Sequence, residues 1–121
     1  MRKRHPEAVA ALDPATSRDI PSWPGYRATS DGRIWTSKLG ADGGWRPLVQ
    51  QLSSIGYFSV TPSVGNRRQK VHVHTLVAEA FHGPRPDGEV VRHLNGDPRD
   101  NCVENLAYGT FVDNEMDKEA H

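Results

Sequence analysis

Residues 90–114 read VVRHLNGDPRDNCVENLAYGTFVDN and decide the fold of the C-terminal part of this chain. The run 89–94 is typical of a strand, and it leads into the turn-rich sequence NGDPRDN. Residues 106–108 can form the returning strand. Residues 111–120 predict a final helix, with Thr110 as its N-cap. The predicted order is therefore strand, loop, strand and helix.

The same stretch places one titratable imidazole, His93, directly after Arg92 and among neutral amides. Imidazole is the side chain best able to accept a proton near neutral pH. A metal cage would need more histidines or carboxylates nearby, and a plain loop would not need the histidine. The four asparagines of the stretch are Asn95, Asn101, Asn105 and Asn114, of which the first two are interpreted as ordinary turn residues.

Composition points to a small, polar globular protein. The chain has 121 residues, 36% of them hydrophobic, and its mean hydropathy is -0.68, so one domain with a small core is expected. The sequence has no run of about 18 apolar residues, so no membrane span is predicted. The basic N-terminus lacks the apolar region of a secretory signal. The single cysteine, Cys102, excludes an internal disulfide and a cysteine-built zinc site. A reducing, cytoplasmic setting is predicted.

The zero net charge hides an asymmetry between the two parts of the chain. Residues 1–86 hold twelve Lys and Arg against six Asp and Glu, whereas residues 87–121 hold three against nine. A basic front part favours contact with a polyanion. An acidic back part would repel the polyanion unless a cation lies between them, which is typical of a metal-dependent nuclease.

The front part predicts short antiparallel strands. Residues 23–37 are typical of a hairpin around the dipeptide Asp31-Gly32. Strands are also predicted at 48–52 and 57–61, with Gly56 in the turn between them, and residues 64–73 predict another turn and strand.

The hydrophobic period then changes from that of a strand to that of a helix in VHTLVAEAFHG, which Gly83 and Pro84 end. The apolar face of this helix consists of Val73, Leu76, Val77, Ala80 and Phe81. The predicted fold class is α+β, with a short antiparallel N-terminal sheet followed by a strand-strand-helix module.

Three motifs in this order carry a family resemblance. The context of His93, Asn105 and Asn114, spaced 12 and 9 residues apart, resembles the HNH endonucleases, whose active site is a ββα-metal fold. The sequence VHTLVAEAF is similar to the VHRLVA.AF helix of phage and intron-encoded HNH homing endonucleases. Upstream, IPSWPGYRATSDGRIWT resembles the NUMOD4 motif that often precedes the module. The resemblance covers residues 20–118.

The resemblance implies three regions and one activity. Residues 1–19 are predicted to be a mobile tail, 20–70 a NUMOD4-like antiparallel sheet region, and 71–121 the HNH ββα-metal module, which forms one compact unit with 20–70. The implied function is a metal-dependent DNA endonuclease, a phosphodiester hydrolase of phage style. We expect it to nick DNA with weak sequence specificity, since the chain stops soon after its last predicted helix.

The resemblance also implies roles for individual residues. His93 is expected to be the general base that activates water, and Asn105 to pin the loop that carries His93 through its amide. Asn114 matches the position at which the family holds its metal, and an amide oxygen suits a hard cation such as Mg²⁺ or Mn²⁺.

Arg92 is the main departure from the family pattern, because homing endonucleases often have a metal-binding aspartate before the base. An arginine cannot be a ligand. One interpretation is that Asn114 alone anchors the ion while Arg92 clamps the scissile phosphate. The alternative is a DNA-binding or phage assembly module with a lapsed HNH site. The acids that could replace the missing ligand are Asp97, Asp113 and Asp117.

The expected partner is DNA. The basic residues predicted to contact its phosphates are Arg46, Arg67, Arg68 and Lys70. A zinc site built on His72, His74 and His82 is not predicted, because no further converging ligand is evident. We expect neither a membrane nor a small-molecule cofactor, and a monomer or weak dimer inside a phage-infected or other bacterial cell.

Overall fold

The computed structural model describes residues 12–37 and 44–120, with side chains up to residue 118. Its elements are short strands and two helices. The first six strands are β1 Ser17–Asp19, β2 Tyr26–Thr29, β3 Ile34–Thr36, β4 Arg46–Pro47, β5 Gln51–Leu52 and β6 Phe58–Val60. The next elements are β7 Ser63–Val64, β8 Arg67–Arg68, β9 Val71–His72 and helix α1 Val73–His82. The last are β10 Val90–His93, β11 Leu106–Gly109 and helix α2 Phe111–Ala120.

The described strands form four antiparallel groups. The largest is a four-stranded sheet in the order β1-β2-β3-β4, and the second is a three-stranded sheet in the order β5-β6-β9. The pairs β7-β8 and β10-β11 are separate hairpins. The predicted antiparallel front part and the α+β class are therefore confirmed.

The predicted hairpin around Asp31-Gly32 joins β2 to β3. The Thr29 amide donates to the Arg33 carbonyl at 2.9 Å, and the Gly32 amide donates to the Thr29 carbonyl at 3.0 Å. Gly32 has a φ of +90°, a conformation that a side chain disfavours. The glycine is thus required by the turn itself.

Regular secondary structure begins earlier in the chain than the sequence predicted. Ser17–Asp19 pair with β2, and Ser17 is buried, so these residues belong to the sheet rather than to a mobile tail. The Asp13 side chain accepts from the Ala15 amide at 2.8 Å and starts a 3₁₀ turn at Pro14–Thr16, which leads directly into β1. The rest of the predicted tail, residues 1–11, lies outside the described residues.

The predicted strand 48–52 was too long. The structure has β4 at Arg46–Pro47 and β5 at Gln51–Leu52, with irregular backbone between them. Val49 in that interval is 87% exposed, so its apolar side chain has no buried face to occupy.

Helix α1 supplies the centre of the core. Val73, Leu76 and Val77 are buried, as the apolar period predicted, and the helix ends at Gly83, whose amide donates to the Glu79 carbonyl. The core side chains come from both parts of the chain, and they are Ile20, Trp23, Tyr26, Ala28, Ile34, Val60, Val73, Leu76, Val77 and Leu106. Regions 20–70 and 71–121 therefore share one hydrophobic core.

The C-terminal module has the predicted strand-strand-helix order. Strands β10 and β11 pair antiparallel, with His93 opposite Leu106, and α2 packs against β10. Thr110 caps α2, since its hydroxyl accepts from the Asp113 amide at 3.1 Å. No helix in the described part of the chain is long and apolar enough to cross a membrane.

Candidate active site

His93 is the last residue of β10 and is only 7% exposed. The chain turns directly after it, because the Gly96 amide donates to the His93 carbonyl at 2.9 Å. The Leu94 amide donates to the Asn105 carbonyl at 2.8 Å, which extends the hairpin by one bond. The imidazole is thus fixed where a strand meets a loop.

Asn105 holds the loop that follows His93. Its Oδ1 accepts from the Asn95 amide at 2.9 Å, and its Nδ2 donates to Asn95 Oδ1 at 3.0 Å and to the Asp100 carbonyl at 2.9 Å. Three bonds from one buried side chain use most of its donors and acceptors. Both ends of the 95–100 loop are therefore tied to one point.

Asn101 makes the direct contact with the imidazole, which the sequence analysis missed. Its Oδ1 lies 2.8 Å from His93 Nε2, and the asparagine is 5% exposed. An amide oxygen only accepts, so Nε2 carries the proton and donates it, and the lone pair of the neutral ring is on Nδ1. The interpretation of Asn101 as an ordinary turn residue was wrong, because turn propensity does not reveal which turn residue is buried.

The β2-β3 hairpin supports this loop from behind. The Val103 amide donates to the Ser30 carbonyl at 2.9 Å. A Cβ atom at Gly32 would lie 2.9 Å from the Asn101 carbonyl oxygen, so only glycine permits this approach. The N-terminal sheet therefore helps to position the residue that holds His93.

A cleft of about 940 Å³ opens beside His93. Tyr57, His72 and His74 form an aromatic wall around the imidazole. The ring centroids of His74 and His93 are 5.0 Å apart in an edge-on arrangement, and those of His72 and His74 are 4.9 Å apart and stacked. On the α2 side, Asn114 and Lys118 line the same cleft.

Burial of the imidazole lowers the pKa of His93 below its usual value of 6.5. The bond to Asn101 and the negative charges of Asp100 and Asp97 act in the opposite direction, and the positive charge of Lys118 lowers the pKa further. His93 is therefore neutral, and able to accept a proton, at physiological pH.

His74 is the second buried imidazole of the site. Burial and, to a lesser extent, the neighbouring His93 and His72 lower the pKa of His74 to about 3. Its Nδ1 is buried, and no described residue forms a hydrogen bond with it. His74 is thus a neutral ring that packs against the base. The third histidine that the sequence analysis considered with it, His82, is separate: its Nε2 lies 3.0 Å from the Leu106 carbonyl oxygen.

Helix α2 presents two polar stripes that differ by one position. Asn114 and Lys118, four residues apart, line the cleft. Asp113 and Asp117, also four apart, lie beside them, and Asp117 binds Arg92 through two bonds of 2.8 and 3.0 Å. Arg92 is absent from the cleft lining, and its guanidinium is bound to Asp117 instead.

The acids proposed as replacement ligands have other partners. Asp113 Oδ2 accepts from the Thr110 amide at 3.1 Å, and Asp97 Oδ1 accepts from the Arg99 amide at 3.0 Å. Within residues 12–37 and 44–118, no group of three or more His, Cys, Asp or Glu is arranged to hold a metal ion. The cleft instead offers the amide of Asn114, a neutral oxygen donor.

The residues predicted to contact DNA lie on the short strands β4 and β8 and just after β8. Arg67 and Arg68 are exposed on β8, and Lys70 is exposed two residues later. The Arg67 guanidinium stacks 3.7 Å from the Trp23 ring centroid and donates to the Ser22 carbonyl. Arg46, on β4, is half-buried and donates to the Trp45 carbonyl.

Comparison with known proteins gives one consistent relationship. Residues 71–116 match the family model described as HNH endonuclease. The chain is 29% identical over 105 residues to DNA endonuclease I-HmuI of Bacillus phage SP01, a match covering 84% of this chain and 58% of that protein. A solved structure described as DNA binding and cleavage by the HNH homing endonuclease I-HmuI aligns with a TM-score of 0.74 and 26% identity, covering 86% of this chain and 57% of that one.

The chain therefore spans less than two thirds of the relative it matches. The family model begins at residue 71, so the NUMOD4-like character of residues 20–70 stays a prediction.

Proposed function

Because residues 71–116 match the family model of the HNH endonucleases and most of the chain is similar to I-HmuI, we propose that the chain is an HNH endonuclease, which hydrolyses phosphodiester bonds of DNA with the help of a divalent metal ion. The observation that carries this proposal is the pairing of His93 with Asn101 beside a cleft that Asn114 also lines. A buried, neutral and oriented imidazole is what a general base at neutral pH requires.

In the proposed reaction, His93 Nδ1 takes a proton from a water molecule in the cleft. The water oxygen forms a bond to phosphorus as the bond between phosphorus and the 3′ oxygen breaks. The 3′ oxygen takes a proton from solvent, and His93 later returns its own proton to solvent. The products are a 5′-phosphate and a 3′-hydroxyl. Asn101 Oδ1 accepts the hydrogen bond from Nε2–H throughout the reaction, so it also stabilises the imidazolium that forms.

Asn114 is the residue that would hold the metal. The donor set fits an ion that keeps most of its water, because Asn114 offers one neutral oxygen and Mg²⁺ commonly binds through few protein ligands. When bound, such an ion supplies Lewis-acid stabilisation of negative charge on the leaving oxygen. That the metal ion is Mg²⁺ or Mn²⁺ stays a prediction.

Arg92 was predicted to clamp the phosphate, and this role stays a proposal. Its Nε and Nη2 donate to the two carboxylate oxygens of Asp117, and the two side chains are 25% and 14% exposed. The clamp would require this pair to open. The same departure from the family pattern favours the second candidate function, a DNA-binding module whose site has lapsed.

We further propose that DNA phosphates meet the basic residues on β4 and β8 and just after β8, and that residues 20–70 act with the module as one unit. The residues proposed for these contacts are Arg46, Arg67, Arg68 and Lys70. Phosphate contacts position a duplex without reading its sequence, so nicking with weak specificity is expected. A monomer or weak dimer acting in the cytoplasm remains the prediction.

The test is supercoiled plasmid incubated with the pure protein in Mg²⁺ or Mn²⁺, beside EDTA. His93→Ala is the catalytic variant, and His82→Ala is a matched control outside the cleft. Nicked circles that need metal and His93, but not His82, support the nuclease. A plasmid that shifts on a gel yet stays supercoiled in every metal supports the binding module.

A further inference from the structure

The cleft needs a positive charge that Arg92 does not supply. A phosphodiester entering beside His93 brings one negative charge, and more charge develops on its oxygens in the transition state. Arg92 does not line the cleft and is bound to Asp117. A cationic side chain that contacts the phosphate beside the proposed metal ion therefore has to come from another element.

Two cationic side chains line the cleft, Arg85 and Lys118. Arg85 Nη1 donates to the Glu89 carbonyl at 2.7 Å, whereas Lys118 lies on helix α2 with Asn114. It follows Asn114 by one helical turn, so its Cα lies about 6 Å further along the axis on the same face. Burial is the main cause that lowers the pKa of His93, and the positive charge of Lys118 lowers it further. The bond to Glu115 and, less, Tyr57 raise the pKa of Lys118. Lys118 thus lines the same cleft as the base and the aromatic wall.

The ammonium group is available to a ligand. Lys118 Nζ lies 3.2 Å from Glu115 Oε2, and the two side chains are 49% and 44% exposed. An exposed pair between neighbouring turns of one helix is weak. By contrast, the two-bond pair of Arg92 and Asp117 is better shielded from water. A phosphate can thus displace Glu115 from Lys118 more easily than Asp117 from Arg92.

We propose that Lys118 binds a non-bridging oxygen of the scissile phosphate and stabilises the charge that develops there during hydrolysis. This inference rests on the proposed nuclease function. It assigns to α2 two adjacent tasks on one face: Asn114 toward the metal and Lys118 toward the phosphate. The flexible four-carbon stem of lysine lets the ammonium follow the phosphate as the bond to the leaving oxygen breaks.

The experiment compares Lys118→Met, which removes the charge but keeps the length, with Lys118→Arg, which keeps the charge. Glu115→Gln is the matched control, because it removes the partner of Lys118 and leaves the lysine in place. Single-turnover nicking of plasmid in Mg²⁺ gives the rate. Binding of a short duplex in EDTA at several salt concentrations gives a readout independent of catalysis.

We expect Lys118→Met to lower the nicking rate by about 10²- to 10³-fold, the usual effect of removing one donor to a developing oxyanion. Lys118→Arg should retain most of the rate, and Glu115→Gln should match the wild type. The slope of log affinity against log salt should become shallower by about 0.9 in Lys118→Met, as for one lost phosphate contact.

A Lys118→Met rate equal to that of Glu115→Gln would overturn the inference while the nuclease stands. If the wild type does not nick, or if His93→Ala nicks as fast as the wild type, the proposed function falls. In that case the salt slope decides for Lys118: a shallower slope supports its contact with phosphate, and an unchanged slope refutes it.

Discussion

Replacing Asn101 should change both the rate and the pH dependence of the nuclease. Asn101→Leu keeps the branched shape and the number of heavy atoms of the side chain but removes the oxygen that lies 2.8 Å from His93 Nε2. In the folded protein this leaves a buried N–H without a partner, which costs about 1–3 kcal/mol of the free energy of unfolding. Urea denaturation at pH 7 measures this loss.

The effect on the rate follows from the imidazolium that forms when His93 takes a proton. A hydrogen bond to a charged group is worth about 1.5–3 kcal/mol, and each 1.36 kcal/mol of lost stabilisation is a tenfold change. We therefore expect Asn101→Leu to lower the single-turnover nicking rate by about 10- to 100-fold. The variant also lets the ring adopt the tautomer with the proton on Nδ1. In that tautomer Nδ1 has no free lone pair and cannot take a proton from water.

The pH profile separates positioning of the base from general destabilisation. The acid limb of the rate reports the pKa of His93, and its midpoint in the wild type should lie below 6.5. Asn101→Leu removes a bond that favours the protonated ring, so the midpoint should fall. Asn101→Asp adds a negative charge at the same atom, so the midpoint should rise.

Two results would refute this reasoning. One is a pH midpoint that is the same in the wild type and both variants. The other is an Asn101→Leu rate within twofold of the wild type at pH 7, measured with protein that is folded by circular dichroism. Either would mean that the contact with His93 does not govern the base.

Three further predictions concern stability. Gly32→Ala should cost about 1–3 kcal/mol in urea denaturation, because the turn needs a positive φ and the new Cβ would meet the Asn101 carbonyl; unchanged stability would contradict this. Asp117→Asn should cost about 1–3 kcal/mol, and a double-mutant cycle with Arg92→Met should show coupling between the pair; additive effects would exclude it. Because the pKa of His74 is about 3 when folded and 6.5 when unfolded, the unfolded state binds more protons between these values. The free energy of unfolding should therefore fall by about 2 kcal/mol from pH 7 to pH 5, and His74→Phe should remove this part of the slope.

The elements with the clearest patterns were predicted well from the sequence. The period of Val73, Leu76 and Val77 gave α1, the dipeptide at Gly32 gave the first hairpin, and the strand-loop-strand-helix order of the C-terminal module follows from local turn and cap signals. These predictions succeeded because each depends on neighbours in the chain. The early strand Ser17–Asp19 was missed because its three residues become a strand only by pairing with β2.

Motif spacing predicts candidate residues for the site but not their contacts. His93, Asn105 and Asn114 follow from motif spacing, and the structure brings His93 and Asn114 to one cleft. The contact of Asn101 with His93 and the place of Lys118 in the cleft could not be derived this way. Nothing in the local sequence distinguishes a buried turn asparagine from an exposed one, and a lysine near the end of an acidic helix is indistinguishable from a solubilising charge until the helix has a packed face.

The replacement of an acidic ligand by Arg92 has a structural consequence for α2. Successive residues of a helix differ by about 100° in direction, so the bond between Arg92 and Asp117 fixes the direction of the next residue as well. With Asp117 held against β10, Lys118 lines the cleft, and Asn114, one turn earlier, lines it too. The arginine therefore need not touch the substrate to affect catalysis. If Arg92 acts only by holding α2 so that Asn114 and Lys118 line the cleft, Arg92→Met and Asp117→Asn should lower the nicking rate to a similar extent. A phosphate clamp predicts instead that Arg92→Met is much more harmful than Asp117→Asn.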